Sequence, residues 1–114
     1  MKIDLEKLGL QWRHADYIIV AGDTVVVVEE TSRAKPEDVD KLRETIEALR
    51  SGKLQHLCGN PSKVIAILHA SREVDAMIAK YLGALSKKTT IYRIANCNNQ
   101  LRMILDESGV QLEN

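Results

Sequence analysis

Four consecutive valines, Val25–Val28, constrain this chain more than any other feature. β-Branched side chains lose rotamer freedom in a helix and pack well on a pleated surface, so Thr24–Glu30 reads as a strand. Because the run does not alternate with polar residues, both faces of that strand must be covered. Upstream, Asp16–Val20 is a second apolar β-branched run, and Ala21-Gly22-Asp23 between the two reads as a tight hairpin turn. Downstream, the period changes. Pro36 opens a helix with Glu37 and Asp38 at its positive end, and Val39, Leu42, Ile46 and Leu49 recur at helical spacing until Ser51-Gly52. Residues 53–62 read as a loop.

Lys63–His69 is a second strand of the buried type, after which Ser71 is placed to cap a helix. That helix carries the apolar stripe Val74, Met77, Ile78, Tyr81, Leu82 and Leu85. Thr89–Ala95 is a fourth strand. Residues 2–10 fit a brief helix about as well as an extended piece, and any additional early strand is expected within 8–15. For the tail, a helix over Asn98–Leu105 is preferred to a hairpin pairing it with Gly109–Leu112. Strands separated by helices need crossovers and some parallel pairing. The expected fold class is therefore α/β: a three-layer sandwich whose four- to five-stranded mixed sheet lies between helices.

The chain has 114 residues, which is one domain's length, so 1–114 is read as a single domain. No apolar run approaches the roughly 20 residues of a membrane helix, and the N-terminal segment is no secretory signal. Two cysteines, Cys58 and Cys97, make no disulfide framework, and a cytoplasmic location is expected. Net charge is zero, but unevenly distributed. Residues 1–40 hold five basic and nine acidic side chains, residues 41–102 eleven basic and four acidic, and the tail three acidic. This matches an acidic metal site beside a basic surface, and equally the ordinary surface of two amphipathic helices.

If the hairpin turns at Gly22, pairing opposes residues whose numbers total 45, and Asp16 then faces Glu29. Two carboxylates at cross-strand distance repel unless a cation lies between them, and oxygen donors of this kind suit Mg²⁺ or Mn²⁺. A one-residue slip in register would present Glu30 instead. The alternative is that both acids are simply hydrated at strand ends. His14, His56 and His69 are scattered without metal-ligand spacing, and Cys58 with His56 matches no zinc pattern. Ser71-Arg72 before a helix suits an anion or a plain cap. There is no glycine-rich phosphate loop.

Asp16, a hairpin, Val25–Val28 leading into Glu29-Glu30-Thr31-Ser32, and then helix, strand, helix and strand resemble the PD-(D/E)XK nuclease superfamily over roughly residues 1–95. The resemblance implies a restriction-endonuclease-like fold and metal-assisted hydrolysis of DNA phosphodiester bonds, often by a homodimer. On this pattern Asp16 and Glu29 would hold Mg²⁺ or Mn²⁺, with Glu6 a candidate for the extra acid of some members. The lysine two residues after Glu29 is replaced by Thr31, whose hydroxyl supplies no positive charge. Some members carry this lysine on the following helix. Lys41 is the first candidate for that role, and Lys35 the second, with Arg33 also before the helix. Arg33, Arg43, Arg50, Lys53 and Lys63 would touch flanking phosphates. The loss of the Glu-X-Lys lysine equally suits a catalytically degenerate member that binds nucleic acid or a protein. A regulatory α/β domain unrelated to nucleases is the third reading.

Overall fold

The computed structural model describes residues 1–110. Its sheet has five strands in the order β1 (Lys2–Asp4), β2 (Tyr17–Ala21), β3 (Thr24–Arg33), β4 (Lys63–Glu73) and β5 (Thr90–Ala95). The first three form an antiparallel meander, and β3, β4 and β5 run parallel. The mixed five-stranded α/β sandwich is thus the expected one. The hairpin also has the expected register: Tyr17 pairs with Val28 and Ala21 with Thr24 across Gly22-Asp23. Gly22 adopts φ +59°, a conformation open to glycine at low cost.

The crossover from β3 to β4 is made by α1 (Pro36–Ser51) and a single turn, α2 (Gln55–Cys58), and that from β4 to β5 by α3 (Ala76–Leu85). Both long crossover helices lie on one face of the sheet. There Val25, Val27, Val64, Ala66 and Leu68 pack against Val39, Leu42, Ile46, Ile78 and Leu82. On the other face Val26, Val28, Ile65 and Ile67 pack against Leu101, Ile104 and Leu105 of α4 (Asn98–Glu107). The valine run is buried because consecutive side chains enter two different cores.

Several local expectations are corrected. Residues 2–8 form β1 and a 3-10 turn (Leu5–Leu8), so the extra early strand lies before residues 8–15. A short helical turn interrupts the expected loop 53–62. β3 and β4 both outrun their apolar cores, continuing as a parallel ribbon through Arg33 and Glu73, with a register shift between Thr31 and Arg33. Ser71 therefore lies within β4, and α3 is capped by Asp75, whose carboxylate accepts from the Met77 N–H at 2.7 Å. Of the stripe proposed for α3, Ile78 and Leu82 are buried, but Met77 is 77% exposed and Tyr81 lies near the surface. The tail forms the expected helix, with Leu101, Ile104 and Leu105 inward; Gln111 and Leu112 of the alternative hairpin lie outside the described residues.

The start of α1 is held by Asp38, a buried carboxylate that accepts from the Lys35 N–H at 2.8 Å. Asp38→Ala is expected to cost about 1–2 kcal/mol, the usual loss for a helix-terminal acceptor, with Asp38→Asn costing less. Thermal denaturation of both variants checks this.

Candidate active site at the carboxyl end of the sheet

α1 starts beside the carboxyl end of β3 and runs back along the sheet. Its first turns therefore overhang the residues that end the valine run. Glu29 is 2% exposed and shares the α1 face with Val25 and Val27. Its Oε2 lies 3.3 Å from the Lys41 Nζ, while its Oε1 is buried with no hydrogen-bond partner. Burial, reinforced by the nearby Asp16, pushes the Glu29 carboxyl up to about 8 despite the opposing pull of Lys41. Desolvation pulls Lys41 down, but the combined attraction of Glu29, Asp38 and Asp16 leaves it raised.

Asp16 stands just before β2, its N–H donating to the Val28 carbonyl at 3.1 Å, one residue out of the register in which Val28 pairs with Tyr17. Its Oδ2 accepts from the Glu30 N–H at 2.7 Å. A residue that sequence reading missed, Thr45, ties this strand to the helix. Its buried hydroxyl accepts from the Ala15 N–H at 2.8 Å and donates to the Lys41 carbonyl at 2.8 Å. Thr45 thus positions both Asp16, through its neighbour, and the turn of α1 that carries Lys41. The only sequence signal for it was a small polar residue on the apolar stripe of a helix.

The predicted residues separate into those that meet and those that do not. Glu29 and Lys41 meet, and Asp16 lies near enough to act on the charge of both. Lys35, at the N-cap of α1, has an exposed side chain, and its backbone serves Asp38. Glu30 is a correction: in the observed register Glu29 faces α1, so Glu30 lies on the opposite face, and its Oε2 is 3.2 Å from the His69 Nδ1 of β4. That pair, with Thr31 and Ser71, lines a second opening of about 360 Å³. Glu30 also helps burial push the Tyr17 phenol up to about 12. Sequence reading placed no function on His69, which is buried and lies opposite Glu30 across the β3–β4 ladder.

Glu6 is exposed on the 3-10 turn, although the Leu5 N–H of that turn donates to the Asp16 carbonyl at 3.0 Å. His14 is committed to the Ala15 carbonyl and packs edge-on against Trp12. Of the five residues named for nucleic acid, Arg33 lies on the same edge as Glu29, whereas Lys63 begins β4 at the opposite end of the sheet, beside Thr24. Arg43 is two residues past Lys41, beside Tyr81 and Asp40. Arg50 and Lys53 are at the far end of α1 or beyond it. Arg50, about 14 Å along the helix from Lys41, bonds to the Pro61 and Thr89 carbonyls. Lys53 lines a surface hollow with Trp12, Glu44 and Glu47.

The fit of a divalent cation rests on the orphaned Glu29 Oε1, a buried hard oxygen donor beside a second carboxylate. Among the described residues no group of three His, Cys, Asp or Glu side chains converges. A cation here would take two protein carboxylates and fill its remaining positions with water or substrate oxygens, as Mg²⁺ does in phosphoryl-transfer sites. No protein-family model matches this chain, and no curated protein or solved structure matches it significantly. No helix among the described residues is long and apolar enough to cross a membrane.

Proposed function

We propose that this protein is a small metal-dependent nuclease of the PD-(D/E)XK type, hydrolysing DNA phosphodiester bonds. The observation that supports it is the approach of Lys41 to Glu29, with Asp16 near enough to raise the Glu29 carboxyl. A lysine supplied by the helix compensates for Thr31, two residues after Glu29, where the pattern has its lysine. Asp16 and Glu29 would hold Mg²⁺ or Mn²⁺. When bound, that ion would supply an activated water and Lewis acidity at the phosphate. The chain's own contribution is positional. Asp16 is held by the Glu30 N–H, Lys41 by Thr45, and the Lys41 ammonium stands where negative charge develops on the phosphoryl oxygens. With its carboxyl raised to about 8, Glu29 would give up a proton on holding a cation, so binding would tighten as pH rises toward 8.

The test is cleavage of linear and branched DNA with Mn²⁺. Wild type is expected to cut, and Asp16→Ala and Glu29→Ala each to lose about 10²–10³-fold. Mn²⁺ should also raise the wild-type melting temperature and not that of the double variant. Cutting that survives in the double variant would overturn the assignment. A second reading, a degenerate binding module, draws on Thr31 and on the lack of a third converging ligand among the described residues. It predicts salt-sensitive DNA binding with no cutting and no metal-dependent stabilisation.

A further inference from the structure

On the α1–α3 face, away from the carboxyl edge, lies the groove that Arg50 borders. It runs between the last turns of α1, the end of α3 and the first residues of β5, and encloses about 370 Å³. Its walls carry Arg43, Arg50 and Lys87 against one carboxylate, Glu47, with Tyr92 and Thr89 between them. The arrangement is not a set of loose surface charges. The Arg50 guanidinium donates to the Pro61 carbonyl at 2.8 Å, to the Thr89 carbonyl at 3.0 Å and to the Thr90 hydroxyl at 3.1 Å. All three partners are neutral, so the cation is fixed in place with its charge uncompensated. Arg43 donates to the Tyr81 hydroxyl at 2.8 Å, with Asp40 3.7 Å away. Among the described residues no carboxylate pairs with Arg50 or Lys87.

A fixed, unneutralised guanidinium such as that of Arg50 suits an oxyanion, since its remaining N–H donors and its charge match phosphate oxygens. An aromatic ring beside them adds a surface on which a base can stack. Tyr92 is half-buried on the inner wall, where burial raises its phenol and the nearby Arg43 opposes that rise. A ligand with one planar aromatic part and one doubly charged oxyanion satisfies both halves of the groove.

We propose that this groove binds the phosphoryl group of a nucleotide through Arg43, Arg50 and Lys87, with Tyr92 beside the base. The nucleotide is either free or part of a nucleic-acid strand. Only the second source, a strand running along α1 from the Asp16–Glu29–Lys41 centre, rests on the nuclease reading. Arg50 serves the fold and the ligand together; Lys87 is exposed, and among the described residues its side chain makes no hydrogen bond or ion pair, which makes it the residue to test.

The experiment uses the intact chain in EDTA, with two probes: adenosine 5′-monophosphate by calorimetry, and a short labelled single-stranded oligonucleotide by fluorescence anisotropy across a salt series. Lys87→Glu is compared with Lys7→Glu, an equal charge change on the exposed 3-10 turn. The expected result is a loss of about tenfold in affinity for Lys87→Glu, with the log–log salt slope for the oligonucleotide smaller by about 1, and less than about twofold for Lys7→Glu. Loss of monophosphate binding identifies a free-nucleotide site, and loss confined to the oligonucleotide identifies a strand path. Equal weakening by both substitutions, or no binding of either probe to wild type, overturns the proposal. EDTA removes divalent metal, so failure of the nuclease reading would leave these binding results unchanged.

Discussion

Glu29→Gln is expected to stabilise the protein at alkaline pH and to leave it nearly unchanged in mild acid. Glu29 is an acid whose carboxyl is raised in the folded state, from 4.5 to about 8. Between those values the folded chain holds a proton that the unfolded chain has released. The stability linked to this group is therefore complete below about pH 4.5 and is lost as pH rises through 8. At pH 9 the wild type carries a buried carboxylate with one unpartnered oxygen. Glutamine has nearly the same shape and no charge to bury. Each pKa unit is worth about 1.4 kcal/mol, so the shift sets an upper bound of roughly 5 kcal/mol. The ion pair with Lys41 and local relaxation reduce this, and a difference on the order of 2 kcal/mol is expected at pH 9. For a domain of this size that is a melting temperature about 5–10 °C above wild type. Melting curves at pH 5, 7 and 9 read it directly. A difference that does not grow with pH would show that Glu29 is ionised in the folded protein throughout.

Lys41→Ala carries the second large effect, and it separates a catalytic lysine from a structural one. At pH 7 the Glu29 carboxyl is largely protonated, so removing its partner should cost less than about 1 kcal/mol of stability. Removing a positive charge aimed at a developing phosphoryl oxyanion should lower kcat for metal-dependent cleavage by about 10²–10³-fold. KM should change little, since the charge acts on the transition state. At pH 9 the same substitution leaves an ionised, buried carboxylate alone, and a destabilisation of about 3 kcal/mol is expected there. Lys41→Arg keeps the charge and should recover part of the rate. The double variant Glu29→Gln/Lys41→Ala should lose the alkaline penalty, because no charge remains to be stranded. Full cleavage by Lys41→Ala would return the question to Thr31, and to Lys35 at the N-cap of α1.

The site differs from a two-carboxylate, one-lysine pattern in where its charges are stored. Without a cation, the repulsion between Asp16 and Glu29 is relieved in two ways: Glu29 takes up a proton, and Lys41 approaches it at 3.3 Å. A cation binding here would have to displace that proton and compete with the ammonium group. Thr45 keeps the competing ammonium near, since its hydroxyl bridges the Ala15 N–H and the Lys41 carbonyl. These contacts join the meander to α1 within the buried layer, where Ala15 and Thr45 are both fully covered.

What the sequence determined was whatever depends on neighbours along the chain. Four valines in a row required a strand covered on both faces, and Val25–Val28 are fully buried between two layers. The Gly22 turn set the hairpin register from Ala21–Thr24 to Tyr17–Val28, because a two-residue loop leaves the pairing no freedom. Pro36, the acidic first turn and Gly52 bounded α1 correctly, since capping is local chemistry. What the tertiary structure decided was whatever depends on residues far apart in sequence. β3 and β4 extend to Arg33 and Glu73 because each supplies the other's ladder, although neither tip has an apolar pattern. Ser71 is consequently a strand residue and Asp75 the cap. The short strand Lys2–Asp4 exists only because β2 offers it an edge. Arg50 was drawn to backbone carbonyls at the opposite end of α1 from Lys41, and Glu30 went to His69. The choice of Lys41 over Lys35 follows from the direction of α1 across the sheet. Periodicity shows that a helix exists and which of its faces is apolar; only packing against β3 shows which of its polar residues overhangs Glu29.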